Sequence, residues 1–189
     1  MGAHVRRTLI LNSVDFVREH YGPEAHSRIL AELPPALSAS FQLAASDAAW
    51  GPFEDLMAYM ETAKRLVAPG AEDFYRRIGV FAGRRDRSTR AVAVMVEDRE
   101  TAIRMIGTVW RTFVDEGQLE LVERFADGAL LRLSGVPVHP AICQRVAGSI
   151  EGLLEKTDPT LRVLETACRS RGAPACDLRV SWDAPGATR

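Results

Sequence analysis

Apolar residues follow a helical period through most of the chain and change to alternation only near its end. Leu9, Val14, Phe16 and Val17 stand among polar neighbours over 9–20, and Asn12 or Ser13 is placed to cap a helix at Val14. Tyr21-Gly22-Pro23 closes that helix and opens another, because Gly suits the position after a helix end and Pro the first turn. Ile29, Leu30 and Leu33 continue it over 24–33, and Pro34-Pro35 stops it. Phe53, Leu56, Met57, Met60, Ala63 and Val67 recur at i, i+3, i+4 and i+7, which predicts a helix over 50–67 with Pro52 in its first turn. A shorter amphipathic helix is expected over 72–83, carrying Phe74, Tyr75, Ile78 and Phe81. The apolar run 91–96 has no clear period. The stripe Ala102, Ile103, Ile106, Val109, Trp110 and Phe113 predicts a helix over 99–114.

Past residue 118 the period falls to two. Leu119, Leu121, Glu123 and Phe125 alternate with Glu120, Val122 and Arg124, and Asp127-Gly128 is a hairpin signal that turns the chain into a return strand over 129–133. Ile142, Val146, Ile150, Leu153 and Leu154 then line a helix over 140–154, and Asp158-Pro159 breaks it. Two further strands are expected over 161–168 and 176–182, joined by a turn over 169–175. The pattern predicts an α+β fold: a helical N-terminal part followed by a ββαββ antiparallel sheet unit. One domain over 1–184 and a disordered tail over 185–189 are expected.

Composition narrows the function. The chain has 189 residues and a formal net charge of −1, without the basic excess that a phosphate-gripping surface carries, so nucleic acid is a poor partner. No apolar run reaches the roughly 18 residues of a membrane span, and the stretch 8–11 is too short for a signal peptide's apolar region. A cytoplasmic protein is expected, and its three cysteines are then free thiols or metal ligands before they are a disulfide framework.

The most specific constellation is Glu165-x-x-Cys168-x7-Cys176, with Cys143 upstream on a helix. Three thiolates and a carboxylate make an acceptable four-ligand zinc set, and a closed set of this kind is structural rather than catalytic. In a regular strand Glu165 and Cys168 face opposite sides, so a shared site requires a bulge or a Cys168 already in the turn. Two other readings stay open: buried unliganded thiols, which pack as small hydrophobes, and a Cys168–Cys176 disulfide. His139, beside Pro140 at a helix start, has no partner at a catalytic spacing and reads as a surface residue. The arginine-rich run 83–90 reads as a solvated loop and matches no nucleotide-binding fingerprint. Trp50, Phe53, Met57, Tyr59 and Met60 suit either a core or the wall of an apolar pocket.

The ending Glu165-Thr-Ala-Cys168 … Gly172 … Cys176-Asp-Leu-Arg-Val-Ser-Trp182 resembles the vinyl-4-reductase-type sensor domain. In that family a closing hairpin carries Glu-x-x-Cys-x7-Cys and an upstream Cys completes a zinc site. The resemblance therefore assigns Cys143, Glu165, Cys168 and Cys176 as the metal ligands. Such domains are related in fold to haem-nitric-oxide-binding domains and to small subunits of vesicle-tethering complexes. The opening Phe16-Val-Arg-Glu-His-Tyr21-Gly22 also looks like the start of the haem-nitric-oxide-binding fold. The overall layout resembles a family of myxobacterial proteins of about this length.

The resemblance implies a stand-alone sensor or adaptor module, homodimeric, with a structural zinc, binding a small apolar molecule or a protein partner. The haem family places a proximal His on a mid-chain helix and uses a Tyr-x-Ser-x-Arg pattern. The helix over 99–114 has no His and the pattern is absent, so no haem is expected. A metal-free protein-interaction scaffold and a cysteine-dependent enzyme are the alternatives, and a non-enzyme is favoured because no catalytic constellation is complete.

Overall fold

The structure is a computed structural model that describes residues 2–42, 49–86 and 96–183. Its N-terminal part is helical: α1 (Arg7–Tyr21), α2 (Pro23–Glu32), α3 (Pro35–Gln42), α4 (Phe53–Val67), α5 (Phe74–Asp86) and α6 (Arg99–Phe113). Two short strands, β1 (His4–Arg6) and β2 (Trp50–Pro52), pair antiparallel, with Val5 opposite Gly51. The C-terminal part is β3 (Gln118–Phe125), β4 (Gly128–Ser134), α7 (Pro140–Leu154), β5 (Arg162–Ala167) and β6 (Cys176–Ser181). These strands form one antiparallel sheet in the order β3-β4-β6-β5. The α+β layout therefore matches the pattern in the sequence.

Four local differences have physical causes. Helix α1 begins at Arg7, so Asn12 and Ser13 are buried inside it rather than capping it. The Ser13 hydroxyl donates back to the Leu9 carbonyl at 3.0 Å, which lets a short polar residue sit within a helix. Trp50–Pro52 is strand rather than helix because β1 pairs with it. Helix α5 runs on to Asp86, so Arg84 and Arg85 of the arginine-rich run are helical; positions 87–90 of that run, and 91–95 of the apolar run, lie outside the described residues. Pro34-Pro35 starts a helix as well as ending one, since Pro35 occupies the first turn of α3, where a missing N–H is harmless.

The core packs the inner face of the sheet (Leu119, Ala129, Leu131, Leu133, Val163, Leu178 and Val180) with the helices. Helices α5 and α7 meet along glycines. A methyl added at Gly79 or Gly83 would come within 2.1 or 2.3 Å of the Arg145 or Ser149 carbonyl oxygen. One at Gly148 or Gly152 would meet the Arg76 or Val80 carbonyl oxygen at 2.1 or 2.2 Å. The two backbones therefore lie in direct contact, in the manner of paired small-xxx-small helix faces. The start of the chain is tied to the end of α6 by a bridge between Val5 and Val114, and by Asp115 accepting from the His4 backbone N–H at 2.6 Å.

Candidate metal centre and adjoining cavity

Helix α7 carries functional side chains on two of its sides. On the side toward the β5–β6 hairpin stands Cys143, fully buried, and the hairpin supplies Cys168 and Cys176, also buried. The three Sγ atoms all lie within 4.8 Å of one another, and Cys143 and Cys168 are 3.7 Å apart. Two thiolates on a tetrahedral zinc, each bonded at about 2.3 Å, stand about 3.8 Å apart. The Cys143–Cys168 pair thus already holds the edge length of a zinc tetrahedron. None is in a disulfide.

The local backbone explains the convergence. The β5–β6 register shifts between Glu165 and Ala167, and β5 ends at Ala167. Cys168 then leads into a single 3₁₀ turn, Arg169–Arg171, closed by Gly172 at φ 86°, a left-handed value that favours glycine. The bulge and the turn together bring Cys168 round, as a shared site with Glu165 requires. The Arg169 backbone N–H donates to Cys176 Sγ at 3.3 Å, and Ser170 Oγ lies 3.0 Å from Cys168 Sγ. Contacts of this kind orient thiolate ligands and stabilise their charge.

Glu165 does not join the three sulfurs at the same range. Its Oε1 accepts from Arg171 Nη2 at 2.5 Å, and its side chain is mostly buried. It is still near enough to act on the cluster. Burial pushes the Cys143 thiol up, with smaller contributions from a hydrogen bond with Cys176 and from the negative charge of Cys176, Glu165 and Cys168. A thiol that burial keeps protonated must give up its proton to become a metal ligand.

On another side, α7 borders a cavity of about 70 Å³ shared with α1, α4 and α6. Its walls include Leu9, Phe53, Ile106, Val109, Trp110 and Val146, and its few polar neighbours include Arg145 and Asp86. Arg145 is buried, and burial pulls its guanidinium down to about 10, so it stays charged at neutral pH. Asp86 is buried at the end of α5 and accepts from Asn12 Nδ2 at 3.0 Å. Burial raises its carboxyl to about 6, against the opposing pull of the Asn12 hydrogen bond and of Arg145 and Arg85.

Sequence reasoning missed Arg145 and Asp86. A signal for Arg145 existed: it sits three residues after Ile142 and four before Ser149, a charged residue on the apolar side of a helix. Asp86 gave none, being one acid in an arginine-rich run. Of the pocket aromatics and methionines proposed from sequence, Phe53 borders the cavity, whereas Met57, Tyr59 and Met60 are core. His139 is a helix cap: its Nδ1 accepts from the Ala141 N–H at 3.1 Å, while Nε2 lies 2.7 Å from Glu61. Its ring is thereby committed away from Cys143. Among the described residues, no helix is long and apolar enough to cross a membrane.

No family model and no curated protein matches the chain. Solved structures do. An H-NOX protein from S. oneidensis, a mutant in the Fe(II) state, is 15% identical over 93% of this chain and 95% of its own, with a TM-score of 0.74. A structure from work on haem distortion in the H-NOX family is 11% identical over 97% and 98%, with a TM-score of 0.72. An oxygen-binding H-NOX domain related to soluble guanylate cyclases is 10% identical over 95% and 96%, with a TM-score of 0.70.

This finding corrects the expectation that haem has no place here. That expectation rested on a missing His in α6 and a missing Tyr-x-Ser-x-Arg pattern, which concern single residues, whereas the fold is the one these H-NOX structures share. Haem iron takes His, Cys, Met or Tyr as its protein ligand. Among the described residues, those around the cavity supply none of these, so no step below is routed through an iron. At these identities the likeness speaks for architecture alone: along nearly its whole length, this chain has the H-NOX fold.

Proposed function

We propose that this protein is a non-catalytic sensor module in which a small ligand occupies the cavity and a structural zinc fastens α7 to the β5–β6 hairpin. Cys143, Cys168 and Cys176 are the zinc ligands, and Glu165 completes the tetrahedron. The observation that carries the reading is the double use of α7, which supplies Cys143 to the thiol cluster and Ile142, Arg145, Val146 and Ser149 to the cavity. The zinc does no chemistry on a substrate, because its protein ligands leave it closed. Its work is to hold the hairpin against the helix, so that a change at the cavity reaches the sheet. The vinyl-4-reductase-type reading rests on the Glu165-x-x-Cys168-x7-Cys176 spacing and now also on the bulge that brings Cys168 round. A cytoplasmic homodimer and a protein partner belong to the same reading.

Metal analysis by mass spectrometry on untagged protein, beside an absorption spectrum, tests this. About one zinc per chain is expected, lost in Cys176→Ala. A protein that takes up no zinc when it is supplied to the reduced thiols overturns the metal site and favours a metal-free scaffold. The same spectrum, recorded after addition of haemin, reads for haem. A Soret band that appears there shows that the chain takes up haem and replaces the direct small-ligand reading.

A further inference from the structure

A buried cation is costly unless an anion answers it, and protein interiors pair such charges. Arg145 departs from that pattern beside a void. Its Nη1 donates to Ser13 Oγ at 3.0 Å and to Met60 Sδ at 3.6 Å, and its Nη2 donates to the Leu9 carbonyl at 2.9 Å. A guanidinium carries five N–H groups. Nε and one hydrogen of Nη2 are left without an acceptor among the described residues. No carboxylate among those residues makes an ion pair with Arg145. Asp86 acts on it through space, with its own Oδ1 engaged by Asn12.

Apart from Asp86 and Ser149 the described walls around this cation are apolar, and the space is small. At about 70 Å³ the cavity is about half the size of one that holds benzene. A tetrahedral oxyanion would press unsatisfied oxygens against hydrocarbon. A neutral alcohol would answer one donor and leave the charge uncompensated. A planar carboxylate matches the guanidinium fork with two parallel bonds and presents nothing polar behind it.

We propose that the cavity takes a short-chain monocarboxylate, its carboxylate held by the Arg145 guanidinium and its alkyl end against Ile106, Val109, Trp110 and Val146. The inference rests on reading the cavity as the ligand site. Within that reading it fixes the ligand class: an acid of two or three carbons. The positions of Ser13, Met60 and Leu9 hold the guanidinium still, so the acid meets a cation already oriented.

The test is calorimetric titration of acetate and propionate, with ethanol and 1-propanol as neutral counterparts, into the wild type, Arg145→Met, Arg145→Lys and Val146→Phe. The wild type is expected to bind propionate at least tenfold more tightly than 1-propanol. Arg145→Met loses that preference, Arg145→Lys keeps part of it, and Val146→Phe, which fills the space, loses both acid and alcohol. If acid and alcohol bind alike in the wild type, the cavity remains a ligand site and the acid recognition is overturned. If no acid and no alcohol binds to folded wild type, both readings fall. Should Arg145→Met not fold, the Arg145→Lys titration decides, since a lysine that leaves the acid preference untouched overturns the role of the planar fork.

Discussion

Cys143 and Arg145 stand two residues apart on α7 and serve opposite kinds of burial. Cys143 belongs to a cluster of like groups, three thiols drawn together from a helix and a hairpin. Arg145 belongs to a network of unlike groups: a cation, a carboxylate, an amide and a hydroxyl from α7, α5 and α1. In the proposed reading the first takes a metal cation, and the second, where Asp86 acts on Arg145 only through space, takes an anionic ligand. The same helix thus exposes two complementary needs on two of its sides, and neither can be met by a residue of the other site. Burial alone therefore says little about function; what matters is which charge the buried group still lacks.

The largest expected effect breaks the second site. Arg145→Met removes the positive charge beside Asp86 and the bonds of a charged donor to Ser13 Oγ and the Leu9 carbonyl, at about 1.5–3 kcal/mol for each bond, read as a lower urea midpoint. The loss is expected to be greater at pH 7 than at pH 5, because Asp86 is then ionised. Next comes the pH dependence of Asp86 itself. Its carboxyl is raised in the fold to about 6, so between the unfolded value and that point the folded state holds the extra proton. Its contribution is therefore fully present at low pH and is lost as pH rises through about 6, a fall of up to about 3 kcal/mol. The groups facing it include, among the described residues, Asn12 from α1, Arg145 from α7 and neighbouring Arg85. Asp86→Asn is expected to flatten this part of the profile. A wild-type and a variant curve that stay parallel from pH 4 to 7 would refute the assignment.

The smallest of the three sharpens the comparison by disturbing both sites together. Gly148→Ala places a methyl against the Arg76 carbonyl and forces α7 away from α5. A net loss of about 2 kcal/mol is expected, overpacking outweighing the gain in helix propensity. Zinc retention and propionate affinity should both fall in this variant, whereas Cys176→Ala should lower zinc alone. An unchanged zinc content in Gly148→Ala would separate the two sites.

Much of this was legible in the sequence, for reasons that differ by element. The stripe on α6 and the alternation of β3 announced themselves because each element has one wet side and one dry side. Asp127-Gly128 fixed the first hairpin through turn chemistry. The Cys168 and Cys176 spacing survives translation into structure because hairpin geometry is local. The start of α1 was not legible: Asn12 and Ser13 are ordinary capping residues, and only their contacts with Asp86 and Leu9 make them interior. The β1–β2 pairing joins residues nearly fifty positions apart, and no local signal carries it. The Arg145 network draws on four helices, so its members read singly as unremarkable residues. The lack of a His on α6 and of a Tyr-x-Ser-x-Arg pattern was read as excluding haem, although the resemblance in fold was seen; a fold is set by packing and persists when ligand residues are changed.

The glycine contact between α5 and α7 has a mechanical consequence. Sliding either helix by one position would drive a side chain into a neighbouring backbone that has no room for a single methyl. The pair is therefore locked in one tooth of its ratchet and is free to move only as a unit, like a strut turning about its fastenings. A small displacement at one end of such a strut arrives at the other as rotation, undiminished by slippage between its two halves.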